Sequence, residues 1–363
     1  MKLYSKVLII GGGPAGATAA RFLTESGVDV ILLERNLSFV KPCGGGLPLS
    51  AFDELNIPKS IIKKEVKTIK IVSPQGERID IELKGRNLAI IERGEFGRAL
   101  QNRAEEKGAR VIEGEFISVI SDKMYRVGVN IGGGKSDIVS EYIIAADGVN
   151  SKVRTSFEIK PSQSFYTVSE KIKGINTDIC EFWFGSYHAP NSYSWVFPTI
   201  EGISAGTGSS GQGNIKTLFE RFKKRRDIIS EARTRIYRIP IWKGDLYNKG
   251  KVLFAGDSAG QVMPLSHEGI YYAMKSGEFA ARALIEEKVD NYKRVWKARF
   301  QKRFVLMDKL RNYFLKDDVS AEKLVALYRR PEVQEASIRL WLRKDSSRES
   351  LKDYIRLFGK FLS

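Results

Sequence analysis

Residues 7–35, VLIIGGGPAGATAARFLTESGVDVILLER, constrain this chain more than any other stretch. The apolar run 7–10 predicts a buried strand, and Gly11, Gly13 and Gly16 form a G-x-G-x-x-G turn. Residues 17–26 read as a helix, and 28–33 as a second apolar strand that ends on Glu34. Glycines at those places let the backbone turn tightly, approach a pyrophosphate and pack the helix on the sheet. The helix N-terminus offers unpaired N–H groups and a partial positive charge to phosphates. Glu34 is placed to accept a hydrogen bond from a ribose hydroxyl. A lone G-x-G-x-x-G is a weak signal. With strand, helix, second strand and terminal acid all in place, it predicts an adenine-dinucleotide site at Gly11, Gly13, Ala15, Gly16, Glu34 and Arg35.

Two later segments decide which dinucleotide. Residues 251–270 read KVLFAGDSAGQVMPLSHEGI, a strand followed by Gly256-Asp257 and a loop that runs into a helix. Residues 142–154 read YIIAADGVNSKVR, another strand ending in Asp147-Gly148. This set of segments resembles the large flavoprotein class that includes the aromatic hydroxylases. The resemblance implies FAD, with Asp257 on the ribityl chain. It also places the helix start at Gly269 and Ile270 against the pyrimidine edge of the flavin, where it stabilises an anionic reduced ring. A nicotinamide dehydrogenase would have no use for the late Gly-Asp segment.

Residues 41–48, KPCGGGLP, and 190–198, PNSYSWVFP, narrow the family further. Together with SHEGIYYAMKSG at 266–277 they resemble the geranylgeranyl reductases, flavoenzymes that saturate isoprenoid double bonds. The likeness runs over roughly residues 1–285. Three successive glycines make a bare backbone that can lie flat against an isoalloxazine ring. By resemblance, Cys43, Gly44 and Gly46 then border the flavin, and Cys43 takes part in substrate positioning or protonation. Period-two alternation puts Tyr193, Trp195 and Phe197 on one face of a strand, either as sheet core or as the wall of a tunnel for an apolar polyene. The resemblance favours the tunnel, and Trp183 and Phe184 are expected to extend it. Arg93 matches the family's R-x-x-F-x-x-x-L pattern, in which the arginine reaches the FAD phosphates, although Gly97 stands where relatives often carry Asp. Phe116 falls where a main-chain contact to adenine is expected.

Only two histidines occur. His267 stands where relatives typically have glycine, so an imidazole there donates a proton, bonds a headgroup or fills space. His188 is expected to face solvent. Cys43 is the first candidate for supplying the proton, His267 the second, and water the third. No metal site is expected.

The 363 residues are enough for two packed lobes or one large domain. The expected architecture is α/β: a discontinuous Rossmann-like FAD lobe (1–65, 92–155, 245–285), an inserted antiparallel substrate sheet (66–91, 160–240) and a helical C-terminal region (286–363). Within it, 66–91 reads as a hairpin about Pro74-Gln75-Gly76, and 215–231 as a charged helix. No apolar run is long enough to span a membrane and no signal peptide is evident. Two cysteines make no disulfide framework, so a cytoplasmic protein is expected.

The net charge of +17 concentrates beyond Lys288. No nucleic-acid module accompanies it, so nucleic acid is not expected, and anionic lipid headgroups are the better partner. At 351–363, Leu351, Tyr354, Ile355, Phe358 and Leu362 recur at helical spacing, with Lys352, Arg356 and Lys360 elsewhere. That helix either lies in a bilayer, on the inner face of the cell membrane, or docks on the protein. The resemblance implies reduction of geranylgeranyl chains of ether lipids, or of a prenylquinone tail, with electrons from ferredoxin or NAD(P)H. A flavin monooxygenase or halogenase is the competing class.

Overall fold

An apolar run such as 7–10 needs cover on both faces, and a parallel sheet flanked by helices supplies it. The strand Lys2–Ile10 pairs in parallel with Gly134–Ala145 on one side and Val30–Glu34 on the other. The sheet continues to Arg110–Glu113 at one end and to Val252–Phe254 and Asn248–Lys249 at the other. Glu115–Ser121 and Tyr125–Ile131 add an antiparallel ribbon beside Gly134–Ala145. The crossover helix is Pro14–Glu25, which starts earlier than 17 because the fixed φ of Pro14 suits a first helical position. It packs closely on the helix Ile270–Ile285: a Cβ on Gly277 would stand 2.1 Å from the Ala15 carbonyl oxygen.

The structure describes residues 2–121, 123–210, 214–342, 344 and 348–359 of this computed structural model. The chain divides into two units. The first comprises Met1–Val40, Gly94–Ser164 and Ile239–Gln301; the second comprises Lys41–Arg93, Phe165–Arg238 and Lys302–Ser363. Residues 41–65, expected with the cofactor lobe, cluster instead with the second unit, because Gly46–Pro48 and Ile62–Val66 both pair with Leu88–Ile91. Residues 286–301 cluster with the first unit, where Tyr292, Trp296 and Phe300 are fully buried.

The second unit is built on a seven-stranded sheet. Its order is Arg235–Pro240, Ser164–Lys173, Gly202–Ser209, Tyr193–Pro198, Cys180–Phe184, Thr68–Val72 and Arg78–Glu82. The last two strands are the expected hairpin, antiparallel about 74–76. One face of the sheet carries Val72, Val168, Trp183, Val196 and Ile203, closed by Phe219 and Phe222 of the helix Ile215–Arg226. That helix ends before 231 because Asp227 takes a left-handed φ of 56°. The opposite face carries Ile71 and Cys180, and packs with Val66 and Ile90 and with Val325, Ile338 and Leu342 from the C-terminal helices. Burial pushes the Cys180 thiol well above its usual range, as befits a core side chain.

In the final helix, Arg348–Phe358, Tyr354 and Phe358 are buried and Phe358 meets Phe314 edge-on, so these two apolar residues dock on the protein. Ile355 stays exposed. Lys360 and Leu362 lie outside the described residues.

Candidate functional site

The nucleotide cradle belongs to the first unit and is made of backbone. Gly11 holds a φ of 105°, and a Cβ there would sit 2.3 Å from the Ala146 carbonyl oxygen. A Cβ on Gly16 would be 1.9 Å from the Gly11 oxygen, whereas one on Gly13 would meet nothing within 4 Å. Thus Gly11 and Gly16 close the turn internally, and Gly13 keeps its outer side open. No side chain caps the helix that begins at Pro14, so its first-turn N–H groups keep their capacity for an anion. At the end of the second strand, Glu34 Oε2 accepts from the Gly12 N–H at 2.6 Å and Oε1 from the Asn36 N–H at 3.1 Å. Gln101 Nε2 donates to the Gly12 oxygen at 2.9 Å, fixing the turn from the helix Arg93–Glu106. Arg35 is exposed, and Phe116 puts its ring into the core beneath the sheet.

The two downstream motifs meet in this unit. Ser151 caps a short helix by accepting from the Arg154 N–H at 3.0 Å, and Asp147 Oδ2 accepts from the Val153 N–H at 3.1 Å. Burial raises the Asp147 carboxyl above its usual pKa, against the opposing pull of these hydrogen bonds. Arg154 is buried and donates to the Ser258 carbonyl at 3.2 Å, and also to Ser162 and Lys160. The arginine of A-D-G-x-x-S-x-V-R therefore holds the residue next to Asp257, a role that sequence reading missed although the motif announced the residue. Gly256 takes a φ of 66° and donates its N–H to Ser276 Oγ at 2.8 Å. Gly269 begins the sixteen-residue helix Ile270–Ile285 without a side-chain cap, and a Cβ on it would lie 3.6 Å from Asp257 Oδ1. His267 has a φ of 52°, a left-handed conformation that glycine adopts without cost, and its N–H donates to the Met263 oxygen at 3.0 Å.

These features fit FAD: a bare turn with an open Gly13, two uncapped helix starts, and carboxylates at Glu34 and Asp257.

The second unit carries the aromatic residues. Tyr193, Trp195 and Phe197 are each half-buried, while the alternate residues Ser194, Val196 and Pro198 are buried against the core. The aromatic stripe lies on the face that carries Cys180, where Phe182, Phe184 and Phe197 pack against the core beside Ile71 and Leu342 yet stay partly exposed. Phe182 joins it, with ring centroids 5.4 Å from Tyr193 and 5.5 Å from Phe197. Trp183 does not: it pairs with Ser194, is buried on the opposite face, stacks edge-on with Phe222, and donates Nε1–H to Glu181 at 2.7 Å. The expected extension of the wall therefore falls to Phe182 and Phe184, one register step away. Period-two alternation from Phe184 was enough to find this.

Glycines let these rings lie flat. A Cβ on Gly206 would stand 2.3 Å from Trp195 Cζ2, and one on Gly44 would stand 2.5 Å from Phe197 Cδ2. Gly46 is similarly filled by Phe197, and Gly45 has a φ of 82°. Cys43 sits at the head of this loop, partly exposed and free of any disulfide. The loop that carries the candidate thiol is therefore seated on the aromatic strand. Lys41 places its ammonium 4.9 Å from the Tyr237 ring centre. Arg93 opens the helix Arg93–Glu106 where the chain passes from the second unit to the first.

His188 does not face solvent. It is fully buried behind the aromatic strand, with Nδ1 2.7 Å from Ser194 Oγ. Ser194 donates to Thr207 Oγ1, and Thr207 donates to the His188 carbonyl, each at 2.7 Å. Since the serine proton is used, Nδ1–H is the donor to Ser194. Burial, aided by the Arg225 charge, lowers the His188 pKa to about 4. The closed ring of hydrogen bonds fixes the strand from the side opposite its aromatics. Nothing in the local sequence distinguished a buried imidazole from an exposed one.

The fold and the cradle define an FAD-binding flavoprotein of the aromatic-hydroxylase type, and the FAD binding domain family matches residues 4–201. The chain is 30% identical over 96% of its length to digeranylgeranylglycerophospholipid reductase 2 of Methanothermobacter thermautotrophicus, and it covers 96% of that protein. It is 29% identical to the chloroplastic geranylgeranyl diphosphate reductase of Arabidopsis thaliana, over 93% of this chain and 80% of that one. Among solved structures, a geranylgeranyl bacteriochlorophyll reductase-like protein from Thermoplasma acidophilum superposes with a TM-score of 0.85 at 23% identity, covering 99% of each chain. This chain belongs to the geranylgeranyl reductase family, and its cofactor is FAD.

Proposed function

We propose that this protein is an FAD-dependent reductase that saturates isoprenoid C=C bonds, with the geranylgeranyl chains of an ether lipid as its substrate. The observation that carries the reading is the half-buried aromatic face of 182–197 with the glycine loop seated on it, in a chain of this family. Reduced FAD supplies a hydride from N5 to one alkene carbon, and a proton completes the other.

The chain's residues have distinct parts in this proposal. Gly11, Gly13, Ala15 and Gly16 receive the pyrophosphate on open backbone and the helix start, and Glu34 and Arg35 border the ribose. Arg93 reaches toward phosphate, and the main chain at Phe116 meets adenine. Asp257, Gly269 and Ile270 hold the ribityl chain and the pyrimidine edge, where the uncapped helix start favours negative charge. Tyr193, Trp195 and Phe197 orient the polyene by shape, since an isolated alkene has no polar handle to grip. Cys43 is the proposed proton-supplying group, with Gly44 and Gly46 keeping its loop flat, and His267 is the second proton-supplying position.

Among the described residues no helix is long and apolar enough to cross a membrane, so a lipid substrate has to be met from a membrane surface or a carrier. Ferredoxin and NAD(P)H are the donors to test.

The experiment is anaerobic. Purified flavoprotein is reduced with dithionite, a geranylgeranyl lipid is added, and flavin reoxidation is followed alongside the mass of the lipid. Reoxidation with two mass units gained per saturated bond is expected. If the flavin stays reduced with the lipid and reoxidises with a prenylquinone, the substrate assignment changes. If turnover requires oxygen and adds oxygen or halogen, the reductase assignment is wrong.

A further inference from the structure

The turn that presents Asp257 is held from behind by a buried polar network. The Ala255 N–H makes the last bond of the sheet ladder, to the Ala145 carbonyl at 2.9 Å. At Gly256 the φ of 66° breaks the strand, so the next N–H leaves the ladder and needs an acceptor inside the protein. It finds two buried side chains, Ser276 Oγ at 2.8 Å and Gln261 Oε1 at 3.2 Å. With its oxygen so used, the Gln261 amide donates through Nε2 to the Tyr292 hydroxyl at 2.9 Å. That hydroxyl donates its one proton to the Phe254 carbonyl at 2.7 Å, which is nearer than Gln261 Oε1 at 3.1 Å.

Tyr292 therefore ties the chain before the turn to the chain after it. Phe254 and Gln261 flank Asp257 in sequence, and one hydroxyl bonds both. Burial holds this phenol above its usual pKa, so it stays a neutral donor. Tyr292 belongs to the helix Asp290–Trp296, beyond the stretch that carries the flavoprotein motifs. Packing alone does not ask for its hydroxyl. Tyr247, whose ring meets Tyr292 edge-on at 6.0 Å, buries a hydroxyl that has no hydrogen-bond partner among the described residues. Of these two neighbouring phenols, it is Tyr292 that reaches the turn.

We infer that Tyr292, acting through Gln261 and with Ser276, is a positioning residue for FAD. The network fixes the Gly256 turn, and the turn aims the Asp257 carboxylate at the ribityl chain. Without the Tyr292 hydroxyl, the Phe254 carbonyl and the Gln261 amide each lose a buried partner, and the turn shifts to recover one. Asp257 moves with that backbone. Hydrogen bonds to ribityl hydroxyls are directional, so a displaced carboxylate holds them less well. The inference rests on the proposed assignment of Asp257 to the ribityl chain. It makes the 290–296 helix a working part of the cofactor cradle.

The test titrates the full-length protein with FAD by flavin fluorescence, well below its melting temperature, and records the melting temperature of the FAD-free form. Tyr292→Phe keeps the ring and is expected to raise the FAD dissociation constant about tenfold, and Ser276→Ala about fivefold. Tyr247→Phe should stay within about twofold of wild type. In an Asp257→Ala background, Tyr292→Phe should add less than about twofold, because both changes act on one contact. A purely structural hydroxyl would lower the melting temperature and leave the affinity of the folded protein unchanged, and that result would overturn the proposal. So would equal weakening by Tyr247→Phe, which would mark packing of the ring cluster as the cause. If Tyr292→Phe does not fold, Ser276→Ala carries the same test from the other acceptor of the Gly256 N–H. Failure of the ribityl assignment looks different: Asp257→Ala would then bind FAD as tightly as wild type. Weak binding by Asp257→Ala beside wild-type binding by Tyr292→Phe would sink this inference alone.

Discussion

The two units build their candidate sites from opposite materials. In the first, the cradle is main chain: Gly11 and Gly16 are forced by carbonyl oxygens that a Cβ would strike at 2.3 and 1.9 Å, and the helix starts at Pro14 and Ile270 have no side-chain caps. In the second, the surface is side chain: Phe182, Tyr193 and Phe197 meet edge to face, and Gly44, Gly46 and Gly206 are bare because rings occupy the space their Cβ atoms would take. The cradle tolerates no change at Gly11 or Gly16, because a peptide carbonyl cannot be swapped for a smaller one. A side-chain site can be repaired by altering the partner ring. The contrast suits the ligands proposed for each, since a dinucleotide presents fixed phosphates whereas a polyene presents only shape.

The largest expected effect breaks the backbone side. Gly16→Ala should weaken FAD binding by at least about 100-fold, corresponding to roughly 3 kcal/mol of overpacking that no single second substitution relieves. Flavin fluorescence titration of the refolded apoprotein reads it, and wild-type affinity would show that the turn relaxes.

Next in size is the support behind the aromatic strand. His188 has a folded-state pKa of about 4, below the value near 6.5 of an exposed imidazole, so the unfolded chain binds more protons in between. Stability is therefore full above about pH 6.5 and falls as the pH drops toward 4. Between pH 7 and 5 the loss should be roughly 2 kcal/mol in urea unfolding. His188→Gln should flatten that slope, and an unchanged slope would remove His188 as its source.

A smaller effect sharpens the side-chain half of the contrast. Gly44→Ala places a methyl against Phe197 and should lower turnover by about tenfold, near 1.4 kcal/mol. Adding Phe197→Leu should recover much of the loss, a rescue that Gly16→Ala cannot have. Lack of any rescue would mean the two surfaces obey the same rule.

The smallest effect is at His267. Its φ of 52° costs about 1 kcal/mol in a residue with a Cβ, and glycine repays nearly that amount in unfolded-chain entropy. His267→Gly should hence leave thermal stability within about 0.5 kcal/mol of wild type. Any larger drop in turnover then reports the imidazole's chemistry, to be compared with Cys43→Ala under the same anaerobic assay.

Much of this was legible in the linear chain. Strand, glycine turn, helix and Glu34 are local in sequence and impose their geometry through backbone conformation alone. The alternation at 193–198 announced a two-faced strand. It could not announce which neighbour completes the face, and Trp183 was assigned there when the register puts it opposite and brings Phe182 in. The final helix shows the same limit: its apolar spacing served a membrane or a protein equally well until Tyr354 and Phe358 were seen buried.

The amino-acid sequence by itself thus determined the cofactor fold, because glycine positions, helix starts and strand polarity act over a few residues. The tertiary structure alone decided what is inside. Only packing buried His188 and joined it to Ser194 and Thr207, led Arg154 to the Ser258 carbonyl, and seated the 44–46 loop on Phe197. Each of these depends on segments distant in the chain, and burial, unlike backbone propensity, is a property no residue carries alone.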